Sequence, residues 1–366
     1  MEITNLKLLN FRNFDKLDLN FSKSKNIIIG NNGVGKTNIV ESIFVLALTK
    51  SFRTNDDEIL IKENNEFFKI EGTIKSSFLN NYKVIFQDKK KVVKINNNKI
   101  NKLSDYISNI NVIMFSINDL KLIKDTPNTR RKLINLEISQ LDNVYVTYLN
   151  YYNKIIKQRN IYLKNLYNKN INFDYLNIID NQLIEYGIKI NKIRNEFINE
   201  INELLPKIYS NLGGFDDLYI FYKNDYEDKG IEEILNNYKK NVERDIILGS
   251  TQIGIHRDDF IFMSKGKDIK YFASEGQQKN AIIAFKLAEL EIFYRRNNDY
   301  PILILDDLFS ELDLKKIENI LNYISSDIQT FITTTDLKKI KKKYLKCSKI
   351  FKINENSIEE DLYEWI

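Results

Sequence analysis

The sequence predicts an α/β protein: a mixed, largely parallel sheet built from both ends of the chain, an antiparallel β-subdomain near residues 67–96, and an α-helical lobe between them. Three observations carry that prediction. Short apolar runs such as "NIIIG", "NVIMFS", "PILILDD" and "TFITTTD" alternate with helical stretches, the pattern of a parallel sheet with crossover helices. The segments "FFKIEGTIK", "YKVIFQD" and "KVVKIN" alternate apolar and polar residues, as antiparallel strands with one solvated face do. From residue 127 to about 209 strand signals almost vanish, and the pattern reads as helices of about 15 to 25 residues.

Taken in order, "ITNLKLL" and "FDKLDLNF" suggest an opening hairpin. "NIIIG" is a buried strand ending at a glycine, and "KTNIVESIFVLALTK" is a helix by period and length. The antiparallel strands follow, and then the helical lobe, which "NLGG" at residues 211–214 closes. No heptad pattern persists long enough for an extended coiled coil. The remainder returns to mixed strands and helices. The boundaries expected are residues 1–118 with 215–366 for the α/β part and 119–214 for the lobe.

Composition excludes several function classes. The 366 residues include one Cys and one His, so neither an internal disulfide nor a Cys/His zinc site is available. The longest apolar runs fall far short of the roughly 20 residues that span a bilayer, and the N-terminus lacks a signal-peptide core. A cytosolic protein with no membrane contact is expected. The net charge of +5 favours an anionic partner only slightly, because the Asn, Ile and Lys bias also fits AT-rich codons.

The first chemical motif is "GNNGVGKT", formed by Gly30, Asn31, Asn32, Gly33, Val34, Gly35, Lys36 and Thr37, with Asn38 following. It satisfies G-x-x-x-x-G-K-[ST] between a strand and a helix, the context in which such a loop wraps phosphates. Lys36 is placed to reach the β- and γ-phosphates of ATP, and the Thr37 hydroxyl to ligate Mg²⁺. "ILILDD" is the partner element: Asp306 for the metal, and Asp307 to orient or deprotonate the attacking water. A GTPase is excluded, since "NKLSD" has Ser104 where a base-reading Asp is needed. A small-molecule kinase needs no second motif so far downstream. An ATPase that sandwiches nucleotide between two heads does need one. There "ASEGQQ" supplies Ser274 and Gly276 at a helix start to grip the phosphate held by a second copy, and Asp313 of "SELD" lies at the dimer seam. Alone, Ser274 would be read as an ordinary helix cap.

Several segments together resemble the RecF family of bacterial recombination mediators, which belong with the SMC-like and ABC-type ATPases. They are "LKLLNFRNF", "GNNGVGKTNIVESIFVLALTKSFRT", "NDLKLIKDTPNTRRKLIN", "GIHRDDFIF", "ASEGQQKNAIIAFKLAEL", "PILILDDLFSELD" and "TFITTTD". The resemblance implies an ABC-type P-loop ATPase head with a helical lobe. It implies an ATP-dependent homodimer that binds DNA at single-strand gaps and duplex junctions, works with RecR and RecO to place RecA, and hydrolyses ATP slowly as a switch. It also makes Ser274, Gly276 and Gln277 the signature. The sequence departs from the family where Ile117 and Asn118 replace a Pro-Glu pair, no glutamine is evident for the Q-loop (Gln87 reads as a strand residue), and Asp336 stands where related ATPases have a switch histidine. A relative of the SMC or RecN kind is the alternative, disfavoured by the missing coiled coil.

Three sets of residues remain. His256, the only histidine, reads as a hydrogen-bonded structural residue. For DNA the candidates are Lys89, Lys90 and Lys91, the pair Arg130 and Arg131, and the run from Lys338 to Lys343; each could equally be a solvated face. The 21 Tyr and 22 Phe read, within the lobe, as core packing rather than base-stacking platforms.

Overall fold

The computed structural model describes residues 1–166, 172–214, 217–346, 348–354 and 357–362. It divides into two compact units, one of Met1–Lys121, Ile208–Gly214 and Lys279–Ile366, the other of Leu122–Lys207 and Phe215–Gln278.

The first unit opens with the expected hairpin, β1 (Glu2–Phe11) and β2 (Phe14–Asn20), and then β3 (Lys25–Ile29) leads into helix α1 (Lys36–Leu48). Next come β4 (Phe67–Lys75), β5 (Leu79–Gln87), β6 (Lys90–Ile95), β7 (Asn98–Ile100), α2 (Ser104–Ile107) and β8 (Val112–Ser116). Alternation decides which strands go where. In β4, Phe68, Ile70 and Ile74 point inward while Lys69 and Glu71 stay nearer solvent, so one face is dry and one wet. These strands form the antiparallel sheet β2-β1-β4-β5-β6-β7. The hairpin joins the subdomain anticipated at 67–96, and Gln87 ends β5, exposed.

The second unit supplies α3 (Pro127–Leu141), α4 (Asn143–Asn165), α5 (Phe173–Asn211) as far as Lys207, β9 (Tyr219–Lys223), α6 (Ile231–Leu248), β10 (Asp259–Ser264), β11 (Lys267–Asp268) and α7 (Ile269–Phe272). Among the described residues only α5 exceeds the length expected: it runs 39 residues, with Gly187 accommodated beneath Tyr226 and Pro206 near the C-terminal end. The expected boundary is also displaced. The sequence places residues 215–278 in the α/β part, yet among the described residues β9, β10 and β11 pair only with one another in a three-stranded sheet, and β10 packs on α3 and α7. Turn signals alone did not reveal that these strands belong with the helices.

The chain returns through α8 (Glu275–Asn297), β12 (Ile302–Asp306), α9 (Leu314–Tyr323), β13 (Thr330–Thr334), α10 (Lys342–Leu345), β14 (Ser348–Ile353) and β15 (Ile358–Leu362). The second sheet of the first unit has the order β15-β14-β3-β13-β12-β8, parallel except for the edge strand β15. This is the parallel sheet drawn from both ends of the chain. Strands β12 and β13 are buried along their whole length, which accounts for their continuous apolar runs. Helix α1 packs against strands of both sheets and is buried nearly all round, as "IVESIFVLAL" requires.

Candidate functional site

The loop from Gly30 to Gly35 joins β3 to α1, and its glycines are needed where they stand. Gly35 caps α1 in a left-handed conformation (φ 111°), and a Cβ there would lie 2.7 Å from the Asn13 side-chain nitrogen. Lys36 folds back so that its ammonium donates to the carbonyls of Gly30 (2.8 Å) and Asn31 (2.7 Å). Burial lowers its pKa, and the carboxylates of Asp307 and Asp306 oppose that shift. A cavity of about 220 Å³ opens here, lined by Gly33, Gly35, Lys36, Thr37, Arg53 and Asp307 among others. A helix N-terminus, a lysine and an arginine around one cavity make an anion site.

The carboxylates arrive from β12. Parallel pairing sets Asp306 beside Thr333 of β13, and Thr333 in turn beside Ile28 of β3, so three strand ends meet next to the loop. Asp306 accepts hydrogen bonds on one oxygen from Thr333 (2.7 Å) and from Thr37 (3.1 Å). Burial raises its pKa against the pull of those two hydroxyls. Asp307 turns into the left-handed region (φ 51°), with its N–H held by the Thr333 hydroxyl at 2.8 Å. A non-glycine residue there carries backbone strain, which Asp tolerates better than most. Burial raises the Asp307 pKa too, and Lys36 opposes it. The structure therefore brings Lys36, Thr37, Asp306 and Asp307 to one place.

A buried acidic residue and its partners surround this site. Glu41 of α1 is fully buried and takes a bidentate pair from Arg12 (2.9 and 2.7 Å), a hydroxyl from Ser51, and a longer contact from Arg53. Arg53 also donates to Asn38 (2.8 Å), and Asn38 to Asn13. Arg12 and Arg53 sit in "NFRNF" and "SFRT". Their signal was an acidic residue on an otherwise apolar helix, which must find partners when buried.

Ser274 and Gln277 bond reciprocally at the start of α8: the Ser274 N–H donates to Gln277 Oε1 (2.8 Å), and the Gln277 N–H to Ser274 Oγ (3.3 Å). That is a capping box, with Gln in the position usually held by Glu. Gln278 is buried and bonds the carbonyl of Ala273 (3.0 Å), which ties the helix start to the preceding turn. Gly276 is half-buried and Ser274 exposed. Asp313 caps α9 through the Lys316 N–H (2.9 Å), the main reason its carboxyl is held below the usual range, and it is exposed as well.

The "GIHRDD" segment lies inside the second unit and works as a structural latch. Gly254 (φ 115°) lies so close to Tyr152 and Tyr238 that a Cβ would come within 2.6 Å of both hydroxyls. His256 meets the Tyr152 hydroxyl through Nδ1 (2.9 Å) and the Thr251 carbonyl through Nε2 (3.0 Å), so the neutral ring with its proton on Nε2 satisfies both. Burial lowers its pKa to about 4. Asp258 pairs with Arg194 (2.6 Å), both almost fully buried, and Asp259 with Arg130 (2.7 Å).

These contacts decide the basic candidates. Arg130 is spent on Asp259 and on the carbonyls of Leu122, Ile123 and Asp125, with its side chain 9% exposed. Arg131 is half-buried and donates to the Asp258 carbonyl. Lys91 bonds Asp57 and the Thr49 carbonyl, while Lys89 and Lys90 remain exposed. Within 338–343, Lys341 and Lys343 pair with Glu318, and Lys339 bonds the carbonyls of Phe309 and Ser310. Arg130, Arg131 and Lys91 are thus held by internal acceptors, whereas Lys89, Lys90 and the lysines of 338–343 lie at the surface.

A strand, phosphate-type loop and helix facing a strand that ends in paired carboxylates define a P-loop domain. Residues 2–359 match the family model described as the RecF/RecN/SMC N terminal domain. Two curated relatives are each described as DNA replication and repair protein RecF. The one from Clostridium botulinum is 41% identical over 371 residues, covering 98% of this chain and 100% of its own; that from Latilactobacillus sakei is 34% identical with full coverage of both. The chain belongs to the RecF family. A solved structure of the recombination mediator protein RecF-ATPrS in the RecFOR pathway superimposes with a TM-score of 0.90 at 30% identity, covering 98% of each chain. An Smc head bound to the C-winged helix domain of ScpA, at TM-score 0.57 and 14% identity, shares the fold alone. Among the described residues no helix is long and apolar enough to cross a membrane.

Proposed function

We propose that this chain is an ATP-gated DNA-binding protein of replication and recombinational repair. It closes as a homodimer on ATP, acts at single-strand gaps and duplex junctions, and assists RecA placement with RecR and RecO. The observation that carries the reading is the hydrogen bond between Thr37 of the phosphate-type loop and Asp306 of β12 (3.1 Å). It sets a hydroxyl and a carboxylate at the spacing two ligands of one small cation need, beside a lysine within a helix N-terminus.

The donors are hard oxygens, which suits Mg²⁺, and no cluster of three or more His, Cys, Asp or Glu among the described residues offers a metal another cage. Thr37 and Asp306 would hold the ion, and its chemistry would be to neutralise charge on the phosphates of ATP. Lys36 exchanges its two carbonyl partners for phosphate oxygens, and Asp307, one residue beyond Asp306, orients the attacking water. Ser274 and Gly276, at an accessible helix start, meet the phosphate of the second copy, with Asp313 at the seam. The family's relatives, described as DNA replication and repair proteins and in one case as RecF-ATPrS in the RecFOR pathway, support the same reading.

The test is sedimentation with and without ATP and Mg²⁺. The wild type should shift from monomer to dimer on adding ATP, and Lys36→Met should not. A wild type whose sedimentation ignores ATP would overturn the gated-dimer reading.

A further inference from the structure

Helix α4 has a feature the proposed ATP site leaves unused. Its 23 residues, "NVYVTYLNYYNKIIKQRNIYLKN", include Lys154, Lys157, Arg159 and Lys164 and no acidic residue. The whole chain holds 50 acidic residues in 366, so a stretch of this length would ordinarily contain about three. Arg159 turns inward to Asp180 and Asp245. Lys154 and Lys157 stay exposed, with no carboxylate within ion-pair distance among the described residues.

Aromatic rings flank these lysines on the same face. Tyr151, 47% exposed, stacks on Tyr186 of α5 (centroids 5.3 Å apart), and Lys154 lies 5.8 Å from the Tyr151 ring. Farther along, Tyr162 meets Tyr175 edge-on at 4.8 Å, beside a shallow cavity of about 370 Å³ lined by Lys154, Lys157 and Ile161 among others. The lobe's tyrosines therefore split into two sets. Tyr145, Tyr152 and Tyr238 are core, as the spacing suggested, whereas Tyr151 and Tyr175 are surface rings.

We propose that this face of α4 and α5 is a track for single-stranded DNA, with bases stacking on Tyr151 and Tyr175 and phosphates meeting Lys154 and Lys157. It rests on the DNA-binding reading above and gives that reading a surface. Charge complementarity selects a polyanion, because α4 offers cations without carboxylates. The open rings select single strands, because duplex stacking hides the base faces that a tyrosine could cover. From Tyr151 to Tyr162 the helix rises about 16 Å, room for about five phosphates at the per-strand duplex spacing of about 3.4 Å and fewer in an extended strand. Among the described residues carboxylates border the track on α5: Glu185, paired with Lys189 at 2.6 Å, and exposed Asp174, next in sequence to Tyr175.

The experiment is fluorescence anisotropy of the full chain with a labelled oligothymidylate and a matched duplex over a salt series. Tyr151→Ala should weaken oligothymidylate binding about tenfold, while Tyr151→Phe, which keeps the ring, binds as the wild type does. Lys154→Gln with Lys157→Gln should reduce the salt slope by about 1.4, at about 0.7 per single-strand phosphate contact, and leave duplex affinity unchanged. Glu185→Gln should tighten binding. All four positions are solvent-accessible, and unchanged circular dichroism checks the fold. If the wild type binds DNA and these variants bind equally well, the track is overturned and the stripe is left to a protein partner. If the wild type binds no DNA, the DNA-binding reading falls and the track falls with it.

Discussion

Thr333 carries more of the candidate site than its place in "FITTTD" suggests, and its substitution is the sharpest test of the geometry. The side chain is 1% exposed, accepts the Asp307 N–H at 2.8 Å and donates to Asp306 at 2.7 Å. Thr333→Val keeps the shape and removes both bonds. The Asp307 N–H loses its partner, at about 1–3 kcal/mol, and Asp306 loses one of two hydroxyls on its oxygen, at about 1 kcal/mol with Thr37 still bonded, so the pair amounts to about 2–4 kcal/mol. In a unit of about two hundred residues that corresponds to a fall in Tm of at least about 4 °C. Thr333→Ser retains the hydroxyl and should lose only a buried methyl, about 1 kcal/mol. Differential scanning calorimetry of the three proteins decides it. The Val variant should also show weaker Mg²⁺-dependent ATP binding, since Thr333 lowers the Asp306 pKa and its removal lets burial push that carboxyl further up. A Val variant melting within 1 °C of the wild type, or a Ser variant as damaged as the Val one, would refute the claim that this hydroxyl positions both carboxylates.

His256→Gln tests the latch through its pH dependence. The folded histidine has its pKa lowered from 6.5 to about 4, so its contribution is fully present above 6.5 and is lost as pH falls toward 4. The stability difference between wild type and variant should therefore shrink by about 3 kcal/mol across that window and stay flat above it, as urea titrations at several pH values would show. A pH-independent difference would mean the ring is not held neutral. Asp307→Asn should bind ATP but slow its hydrolysis and prolong the dimer; a variant hydrolysing at the wild-type rate would remove Asp307 from the chemistry. Ser274→Arg should leave nucleotide binding by the monomer intact while blocking ATP-dependent dimers in light scattering, and loss of monomer binding would place Ser274 in its own copy's site.

The parallel sheet was legible because its strands are buried on both faces and therefore read as unbroken apolar runs, "NIII", "VIMFS", "ILILD" and "TFITT". The allocation of residues 215–278 was not legible. A strand such as "FIFMS" shows its period but not its partner, and β10 finds β9 only across more than thirty intervening residues. Helix α5 is longer than the expected 15 to 25 residues because Pro206 does not end it but falls in its last turns.

At the candidate site, local motifs could be read and remote partners could not. Lys36, Thr37, Asp306 and Asp307 announce themselves through spacing because their chemistry is bound to a strand–loop–helix turn and to a strand end. Arg12, Arg53 and Thr333 carry no local pattern; each is defined by what it bonds across the fold, Glu41 for the two arginines and the paired carboxylates for the threonine. The basic clusters show the converse. Adjacent arginines such as Arg130 and Arg131 look like an anion surface in sequence, but burial forces each guanidinium to find acceptors, and Asp259 and the carbonyls of the "DTP" turn and of Asp258 supply them. Helix α4 avoids that fate because no carboxylate of its own can reach Lys154 or Lys157, so its charge stays available to a polyanion. For the proposed track, the sequence signal is the absence of acidic residues along α4 rather than the density of basic ones.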